Sequence, residues 1–266
     1  MLDVVARAEL ANQEIYRSTT IRSGGVVTDQ DGLCIFHGLS PSWVIANGAF
    51  RTDPAVAAGE AIERTVASFR DRGRRPALMT LERHDADLDR ALASAGWTLA
   101  IALPVMVCGG RLAELQPGPG VVADWLDQAN AAHLERLRDV LRRGFAEDGE
   151  EREVVDSIFA TGGPITGPDA AAALVRVDGR PAATAIVYQL DGVAVVAWVA
   201  TVPEARRQGL GRLVTTLVTN RGFDMGADTA SLQASPMGAP LYRTMGYETV
   251  TNSRIWIGPL EPDGAA

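Results

Sequence analysis

The chain has 266 residues, 47% of them hydrophobic, and a formal net charge of −8 at pH 7. This length accommodates two domains of ordinary size, and the acidic balance argues against general nucleic-acid binding, which needs a basic face. Two cysteines make no disulfide framework, and neither a signal peptide nor an apolar run of the ~20 residues that span a membrane is recognisable, so a cytoplasmic protein is expected.

The first half of the chain is predicted to alternate helices and strands. The expected elements are a helix at 3–18, strands at 32–38 and 45–50, a helix at 53–72, a strand at 76–81, a helix at 85–95, and one or two strands at 97–108. Asp53 and Pro54 favour a helix start, because aspartate caps a first turn and proline is tolerated at the first helical position. Pro104 is expected to break the last strand, since it lacks the N–H of a sheet ladder.

A proline- and glycine-rich segment, Gln116–Gly120 (QPGPG), follows these elements. Two prolines and two glycines in five residues are the best linker signal in the chain. We therefore predict two domains, residues 1–115 and 121–266, joined by a linker at 116–120.

The second half is predicted to contain a meander of three strands. The expected elements are a strand at 121–125, helices at 127–143 and 150–160, strands at 171–177, 181–190 and 193–202, a helix from 210 to about 226, a strand at 229–234, a short helix at 238–245, and a last strand or strands at 247–257. Asp178-Gly179 and Asp191-Gly192 are short-turn pairs, so they predict tight hairpins within the meander.

The two halves end alike. Residues 79–107 and 232–257 both read as a strand, a short helix, a glycine followed by an aromatic residue, and another strand. This pattern indicates an internal repeat of the size of a duplicated domain.

The segment Trp198–Val218 joins an apolar strand to an amphipathic helix through a turn of arginines and glycines, Arg206–Gly211 (RRQGLG). Apolar residues from Leu210 to Val218 recur with the spacing of one helix face. The free N–H groups and the dipole at the start of such a helix favour an anion. Glycine lets a phosphate approach the main chain, and arginine adds positive charge. The expected ligand is therefore a phosphate or pyrophosphate.

Two common nucleotide motifs do not fit this turn. A Rossmann fingerprint requires a third glycine where Val214 stands, which disfavours a nicotinamide or flavin enzyme. The Gly-Lys-Ser/Thr of a Walker loop is absent from the sequence.

The turn resembles the main motif of the GNAT superfamily of N-acetyltransferases. An apolar strand, Val202-Pro203-Glu204, the pattern Arg/Gln-x-x-Gly-x-Gly/Ala and a helix follow in the family's order, and Leu241-Tyr242 with Gly246-Tyr247 resembles its closing motif. Arg207 departs from the glycine of many members, although its side chain can point away. The resemblance implies an α/β class with a mixed sheet, arranged as two tandem acyl-CoA N-acyltransferase folds, and acetyl-CoA as cosubstrate.

The same resemblance implies the residues that bind the cofactor. The backbone of Val199, Ala200 and Thr201 would pair with the pantetheine arm, and one N–H would polarise the thioester carbonyl. The pyrophosphate would be held by the turn and the first helical residues, namely Arg206, Arg207, Gln208, Gly209, Leu210, Gly211 and Arg212. Ser235 falls near the position where relatives often carry asparagine and is a further candidate contact.

Tyr242 is the candidate catalytic residue. By the resemblance it stands near the CoA sulfur and protonates the leaving thiolate, which suits a phenol of pKa ~10. The competing interpretation is a core tyrosine on a short helix. No general base is assigned, because Glu147, Asp148 and Glu150 would border the acceptor pocket but are typical of solvated charges. The scattered histidines indicate no metal site.

We therefore expect an acetyl-CoA-dependent N-acetyltransferase that passes acetyl directly to an amine of a small molecule or peptide. The alternative, favoured by the missing base, is a catalytically idle acyl-CoA-binding sensor or assembly module. The first half carries Arg51–Val56 (RTDPAV) in place of the phosphate turn, and Asp53 there would repel pyrophosphate. It resembles the degenerate copy of tandem GNAT proteins, which implies a monomer that mimics a dimer, or a homodimer.

Overall fold

The computed structural model of the chain describes residues 3–41, 46–126, 130–146, 152–165 and 167–259. The strands in these ranges are β1 (Val26–Gln30), β2 (Leu33–His37), β3 (Asn47–Arg51), β4 (Ala77–Leu81), β5 (Thr98–Cys108), β6 (Val121–Trp125), β7 (Ala170–Val177), β8 (Arg180–Leu190), β9 (Val193–Thr201), β10 (Thr229–Gln233) and β11 (Glu248–Ile257). The helices are α1 (Val4–Arg22), α2 (Ala58–Arg70), α3 (Ala86–Ser94), α4 (Ala131–Phe145), α5 (Arg152–Ile158), α6 (Leu210–Asp224) and α7 (Ala239–Thr244). No helix among the described residues is both long and apolar enough to cross a bilayer.

Local signals explain most of these elements. Asp178 and Asp191 each have a φ of 48° and precede a glycine of positive φ, so both predicted hairpin turns form. The sequence prediction missed β1, although Asp31 has the same conformation and joins β1 to β2 through a third Asp-Gly pair. The irregular connection before β6 covers residues 109–120, which is longer than the predicted linker.

Two predictions about proline were wrong. The helix predicted from Asp53 begins at Ala58, because the Asp53 carboxylate accepts the N–H of Ala55 in a turn that precedes the helix. Pro104 does not break β5, which runs without interruption. The proline is tolerated because it lies just past the last residue of β5 that pairs with β10, and its carbonyl accepts the N–H of Ala234.

The strands form one mixed sheet with the order β1-β2-β3-β4-β11-β5-β10-β9-β8-β7-β6. The run β1-β2-β3-α2-β4-α3-β5 has the same element order as β7-β8-β9-α6-β10-α7-β11, and β3/β4 and β9/β10 are parallel pairs at matching places. The repeat and the mixed α/β class predicted from the sequence are therefore present.

The last strand of each half is exchanged into the other half. β11 lies between β4 and β5 and pairs antiparallel with both. β5 in turn pairs with β10 through residues 105–108, so a strand of the first half separates two strands of the second. The predicted division into residues 1–115 and 121–266 stays a prediction, since strands from both ranges share this continuous sheet.

Helix α1 lies against strands of both halves, β1 and β2 on one side and β8, β9 and β10 on the other, so the sheet curves around it. Two of its side chains reach β10: Asn12 Nδ2 donates to Ser231 Oγ at 2.7 Å, and Tyr16 OH donates to Gln233 Oε1 at 2.6 Å. Ser231 is paired with Val195, the neighbour of Ala194. Because adjacent strand residues face opposite sides, α1 and α6, whose Gly222 approaches Ala194, cover opposite faces.

A buried ion cluster occupies the end of β3 in the first half. Strand β3 pairs with β4 at Phe50 and Met79. The next residue of β3, Arg51, is buried, with 7% of its surface exposed. Its guanidinium donates to Asp85 and Asp87, with Nη2 at 2.7 Å from an oxygen of each. The cluster therefore fills the space that the diverging strands would leave.

Removing the first half is expected to prevent the second from folding as a monomer. A chain of residues 116–266 lacks β5, so β10 loses one neighbour and β11 loses both, which leaves apolar strand edges open to association. We expect aggregates or dimers in sedimentation analysis, and recovery of a soluble species when residues 1–115 are co-expressed. A monomeric fragment with cooperative unfolding would contradict the interpretation.

Replacing Arg51 is expected to destabilise the fold. Arg51→Met leaves the buried Asp85 carboxylate without its cation, and breaking such a pair costs about 3–5 kcal/mol of the free energy of unfolding in urea titrations. The double variant Arg51→Met, Asp85→Asn removes the uncompensated charge and should recover part of the loss. A loss below about 1 kcal/mol in the single variant would show that the cluster is not needed.

The same cluster gives a pH dependence of known sign. Hydrogen bonds from Arg51 hold the pKa of Asp87 below its ordinary value of 3.8. The stabilisation is therefore present above pH 3.8 and lost as the pH falls through the lower folded-state pKa. Urea titrations between pH 2 and pH 5 should show a smaller acid-induced loss in Arg51→Met than in the unaltered protein.

Candidate functional site

In the second half, the two parallel strands diverge and leave a cleft between them. The pairing of β9 with β10 ends at Ser231 and Val195, while β9 continues to Thr201 and β10 to Gln233. The cleft has a volume of about 460 Å³. It is lined by Gly144, Phe145, residues 196–201, 205–207 and 209–212, Gln233, Ser235, Met237, Gly238, Leu241 and Tyr242.

A bulge in β9 shapes this cleft. The register with β8 shifts between the pairs Ala197–Ile186 and Ala200–Thr184, and Trp198 has a φ of 56°. A β-bulge of this kind bends its strand and re-aims side chains. The Trp198 ring lies edge-on to Phe159 with 5.0 Å between the ring centroids, so the bulge is fixed by aromatic packing. The backbone of 199–201 thus lies in the cleft wall without a strand partner on the β10 side.

The turn between β9 and α6 supplies N–H groups at the mouth of the cleft. Gly209 is the residue before α6, with a φ of 80° and no side-chain cap on the helix. Arg207 has a φ of 59°, which lies in the left-handed region that glycine favours. A Cβ at Gly211 would lie 3.4 Å from Leu241 and 3.5 Å from Thr201, so packing within the protein does not require glycine there.

The three arginines of the cleft have different partners. Arg206 donates to the carbonyls of Thr201 and Gly144, at 3.3 and 3.0 Å, and so ties the turn to β9 and to the end of α4. Arg212 hydrogen-bonds Thr244, the last residue of α7, while the Arg207 side chain is exposed. Among the described residues, the lining contains no aspartate or glutamate. The cleft is therefore cationic and suits an anion.

Tyr242 lies on α7 and is 7% exposed in the cleft wall. Burial raises the pKa of its phenol above the ordinary value of 10, so the group is protonated at neutral pH and can donate a proton. A Cβ at Gly238 would come within 2.8 Å of the Tyr242 ring, which shows how closely the turn before α7 holds it. Ser235 belongs to that turn, since its hydroxyl accepts the N–H of Gly238 at 3.1 Å.

The fold brings nearly all of the predicted site residues into one cleft. Gln208 does not line it, and its side chain instead hydrogen-bonds the Glu204 carbonyl at 3.4 Å. Glu147, Asp148 and Glu150, the acids weighed as possible bases, lie outside the described residues.

The sequence prediction missed several residues of the wall. Phe145 and Trp198 read as ordinary apolar positions, and Gly238 as part of a helix boundary. Gln233 had a usable signal, because it is the polar last residue of a strand that ends at the cleft. Side chains at the ends of parallel strands commonly meet ligands.

Part of the sequence and the whole fold are similar to those of known proteins. Residues 134–247 match the family model described as the acetyltransferase (GNAT) family. No curated protein matches the chain. A GCN5-related N-acetyltransferase from Kribbella flavida superposes with a TM-score of 0.75 at 24% identity, covering 98% of this chain and 97% of that one.

Two further structures share the fold at lower identity. A GCN5-related N-acetyltransferase from Sphaerobacter thermophilus has a TM-score of 0.64 at 12% identity and covers 87% of this chain and 78% of that one. A tandem GNAT protein from the clavulanic acid biosynthesis pathway has a TM-score of 0.60 at 12% identity, with coverages of 86% and 79%. Residues 134–247 are therefore similar to the acetyltransferase (GNAT) family, and the chain shares its fold with GCN5-related and tandem GNAT proteins.

Proposed function

We propose that this protein is an N-acetyltransferase that moves an acetyl group from acetyl-CoA directly to an amine of a small molecule or peptide. The observation that carries the proposal is the cationic cleft between β9 and β10, with the N-terminus of α6 at one end and Tyr242 in its wall. The GNAT family supports acyl-CoA-dependent transfer in general.

Each wall of the cleft has a role in binding acetyl-CoA. The N–H groups of 207–212 and the exposed Arg207 bind the pyrophosphate, and Gly211 leaves room for its approach. Arg206 holds the turn in place through the Thr201 and Gly144 carbonyls. The unpaired backbone edge of Val199, Ala200 and Thr201 pairs with the amides of the pantetheine arm, and one N–H polarises the thioester carbonyl. The Ser235 hydroxyl accepts the N–H of Gly238 in the turn before α7, so its own hydrogen is the group that can contact the cofactor.

The transfer step uses Tyr242 as the general acid. The acceptor nitrogen forms a bond to the carbonyl carbon, the carbon–sulfur bond breaks, and the departing thiolate takes the phenolic proton of Tyr242. The proton lost by the amine passes to solvent or to a base that we leave unassigned, because the described lining contains no carboxylate, and Tyr242 regains its proton from solvent.

The first half acts as a partner whose described residues leave no cleft at the matching place. The region that matches the cleft is filled by Arg51, Asp85 and Asp87. Leucine stands where the second half has its candidate acid, because Leu92 and Tyr242 each lie four residues before a glycine, Gly96 and Gly246. Helix α1 covers the face of β10 opposite α6. The chain is thus a pseudo-dimer with one acetyl-CoA site, either as a monomer or within a homodimer.

One observation favours a second candidate function. A cleft whose described lining carries no carboxylate suits a module that binds acyl-CoA as a sensor or assembly unit without turnover. Calorimetry with acetyl-CoA and a transfer assay with a panel of amines separate the two functions. Binding without transfer or hydrolysis favours the module, and no binding at tens of micromolar excludes both.

Closing the space above Gly211 is expected to block the cofactor. Gly211→Val places a branched side chain where the pyrophosphate approaches, so the Kd for acetyl-CoA measured by calorimetry should rise at least about tenfold. Gly59→Val is the matched control, since Gly59 is also the second residue of its helix and has open space around it. Stability should change by less than about 1 kcal/mol in either variant. Equal affinities in the two variants would refute the placement of the pyrophosphate.

Removing the phenol of Tyr242 is expected to slow transfer with little effect on binding. Tyr242→Phe should lower kcat about a hundredfold, because general acid catalysis contributes at least that much, while the Kd for acetyl-CoA stays within about twofold. Thiol release in the presence of an amine panel gives the rate. Tyr247→Phe is the control, because Tyr247 hydrogen-bonds Thr219 in the core and does not line the cleft. If the two variants lose turnover equally, Tyr242 is a core tyrosine.

A further inference from the structure

One polar group in the cleft has no role in the proposed function so far. The amide nitrogen Nε2 of Gln233 is buried and has no hydrogen-bond partner among the described residues. Gln233 is the last residue of β10, and it lines the cleft. A buried donor without an acceptor is costly, so such a group indicates a partner that the protein itself does not provide.

The opposite side of this amide is held firmly. Gln233 Oε1 accepts a hydrogen bond from Tyr16 OH at 2.6 Å, which fixes the plane of the amide and leaves Nε2 as the available donor. Tyr16 belongs to α1, and the same helix is attached to β10 by Asn12 at Ser231 and to Asp228 by Arg7. The first half of the chain therefore orients the amide of a residue that lines the cleft of the second half.

The position of Gln233 along the cleft identifies the ligand group it faces. The cationic turn at 206–212 forms one end, and Val196, Ala197 and Gln233 form the other, just beyond the last paired residues, Ser231 and Val195. From Val196 to Thr201 the strand spans roughly 16 Å, at ~3.3 Å per residue. A CoA with its pyrophosphate at the turn and its pantetheine arm along β9 thus carries its thioester to the end where Gln233 lies.

We propose that Gln233 Nε2 donates a hydrogen bond to the thioester carbonyl oxygen of the bound acyl-CoA, and that Tyr16 positions it. The inference rests on the proposed binding of acetyl-CoA. A carbonyl oxygen is the strong acceptor at the acyl end of this ligand, whereas the sulfur is a weak one. Free CoA lacks that oxygen, so the contact discriminates acetyl-CoA from CoA.

The experiment compares the affinities of two ligands in matched variants. Calorimetry gives the Kd of acetyl-CoA and of CoA for the unaltered protein, Gln233→Leu, Gln233→Glu and Tyr16→Phe. Gln30→Leu serves as the control, because Gln30 is an exposed glutamine on β1 that does not line the cleft. Near-ultraviolet circular dichroism checks that each variant is folded.

Gln233→Leu should weaken acetyl-CoA about three- to tenfold and leave CoA within about twofold. Gln233→Glu should weaken acetyl-CoA at least as much, since it places an oxygen where the donor stood. Tyr16→Phe should give a smaller loss that is again confined to acetyl-CoA. The control should match the unaltered protein for both ligands.

Two results would overturn the proposal. If Gln233→Leu and Gln233→Glu change both ligands equally, or change neither, Gln233 does not contact the carbonyl while acetyl-CoA binding itself stands. If the unaltered protein binds neither ligand, the proposed function fails and the role of Gln233 fails with it.

Discussion

The exchange of the last strands is the constraint on which the rest of the structure depends. β11 lies between β4 and β5 of the first half, and β5 lies against β10 of the second. Each half therefore needs a strand of the other to complete its part of the sheet. Helix α1 strengthens this dependence, because the Asn12 and Tyr16 side chains hydrogen-bond β10 from the other half. The cleft lies where β9 diverges from β10. One of its walls is therefore a strand, β10, whose two neighbours, β5 and β9, come from different halves.

The two halves differ in what occupies the space between their parallel strands, β3 and β4 in the first half and β9 and β10 in the second. Parallel strands that diverge leave unpaired backbone and empty space, and a protein must fill that space or use it. The first half fills it with Arg51, Asp85 and Asp87, at the expense of desolvating the Arg51–Asp85 ion pair, while Asp87 stays half exposed. The second half leaves it open and places arginines around it, two of which also hold the turn and α7 in position. This asymmetry explains how, among the described residues, a duplicated fold keeps the space between its parallel strands open in the second half and closed in the first.

Local sequence signals predicted most of the elements but not the order of the strands in the sheet. The Asp-Gly pairs and the turn at 206–211 were readable because their conformations depend on adjacent residues, and the apolar spacing after Leu210 marks α6 directly. The strand order was not readable, since the pairing of β5 with β11 joins residues more than a hundred positions apart. Arg51 and Asp85 illustrate the same limit, because their charges are unremarkable in sequence and become a buried pair only through the meeting of β3 and the start of α3. The divergence of β9 and β10 likewise depends on a bulge at Trp198 that no short pattern predicts.

The position of β11 also bears on how the chain folds during synthesis. It is translated after the other ten strands, yet it lies in the middle of the sheet between β4 and β5. Until it arrives, those strands have a gap between them, and contacts of such large sequence separation form slowly. Until β11 has been synthesised, the edges of β4 and β5 are unpaired. Such edges can pair with those of other nascent chains translated from the same mRNA. The strand that joins the two halves in the folded protein is thus the last to pair during synthesis. A chaperone would act at this stage by covering the open edges of β4 and β5.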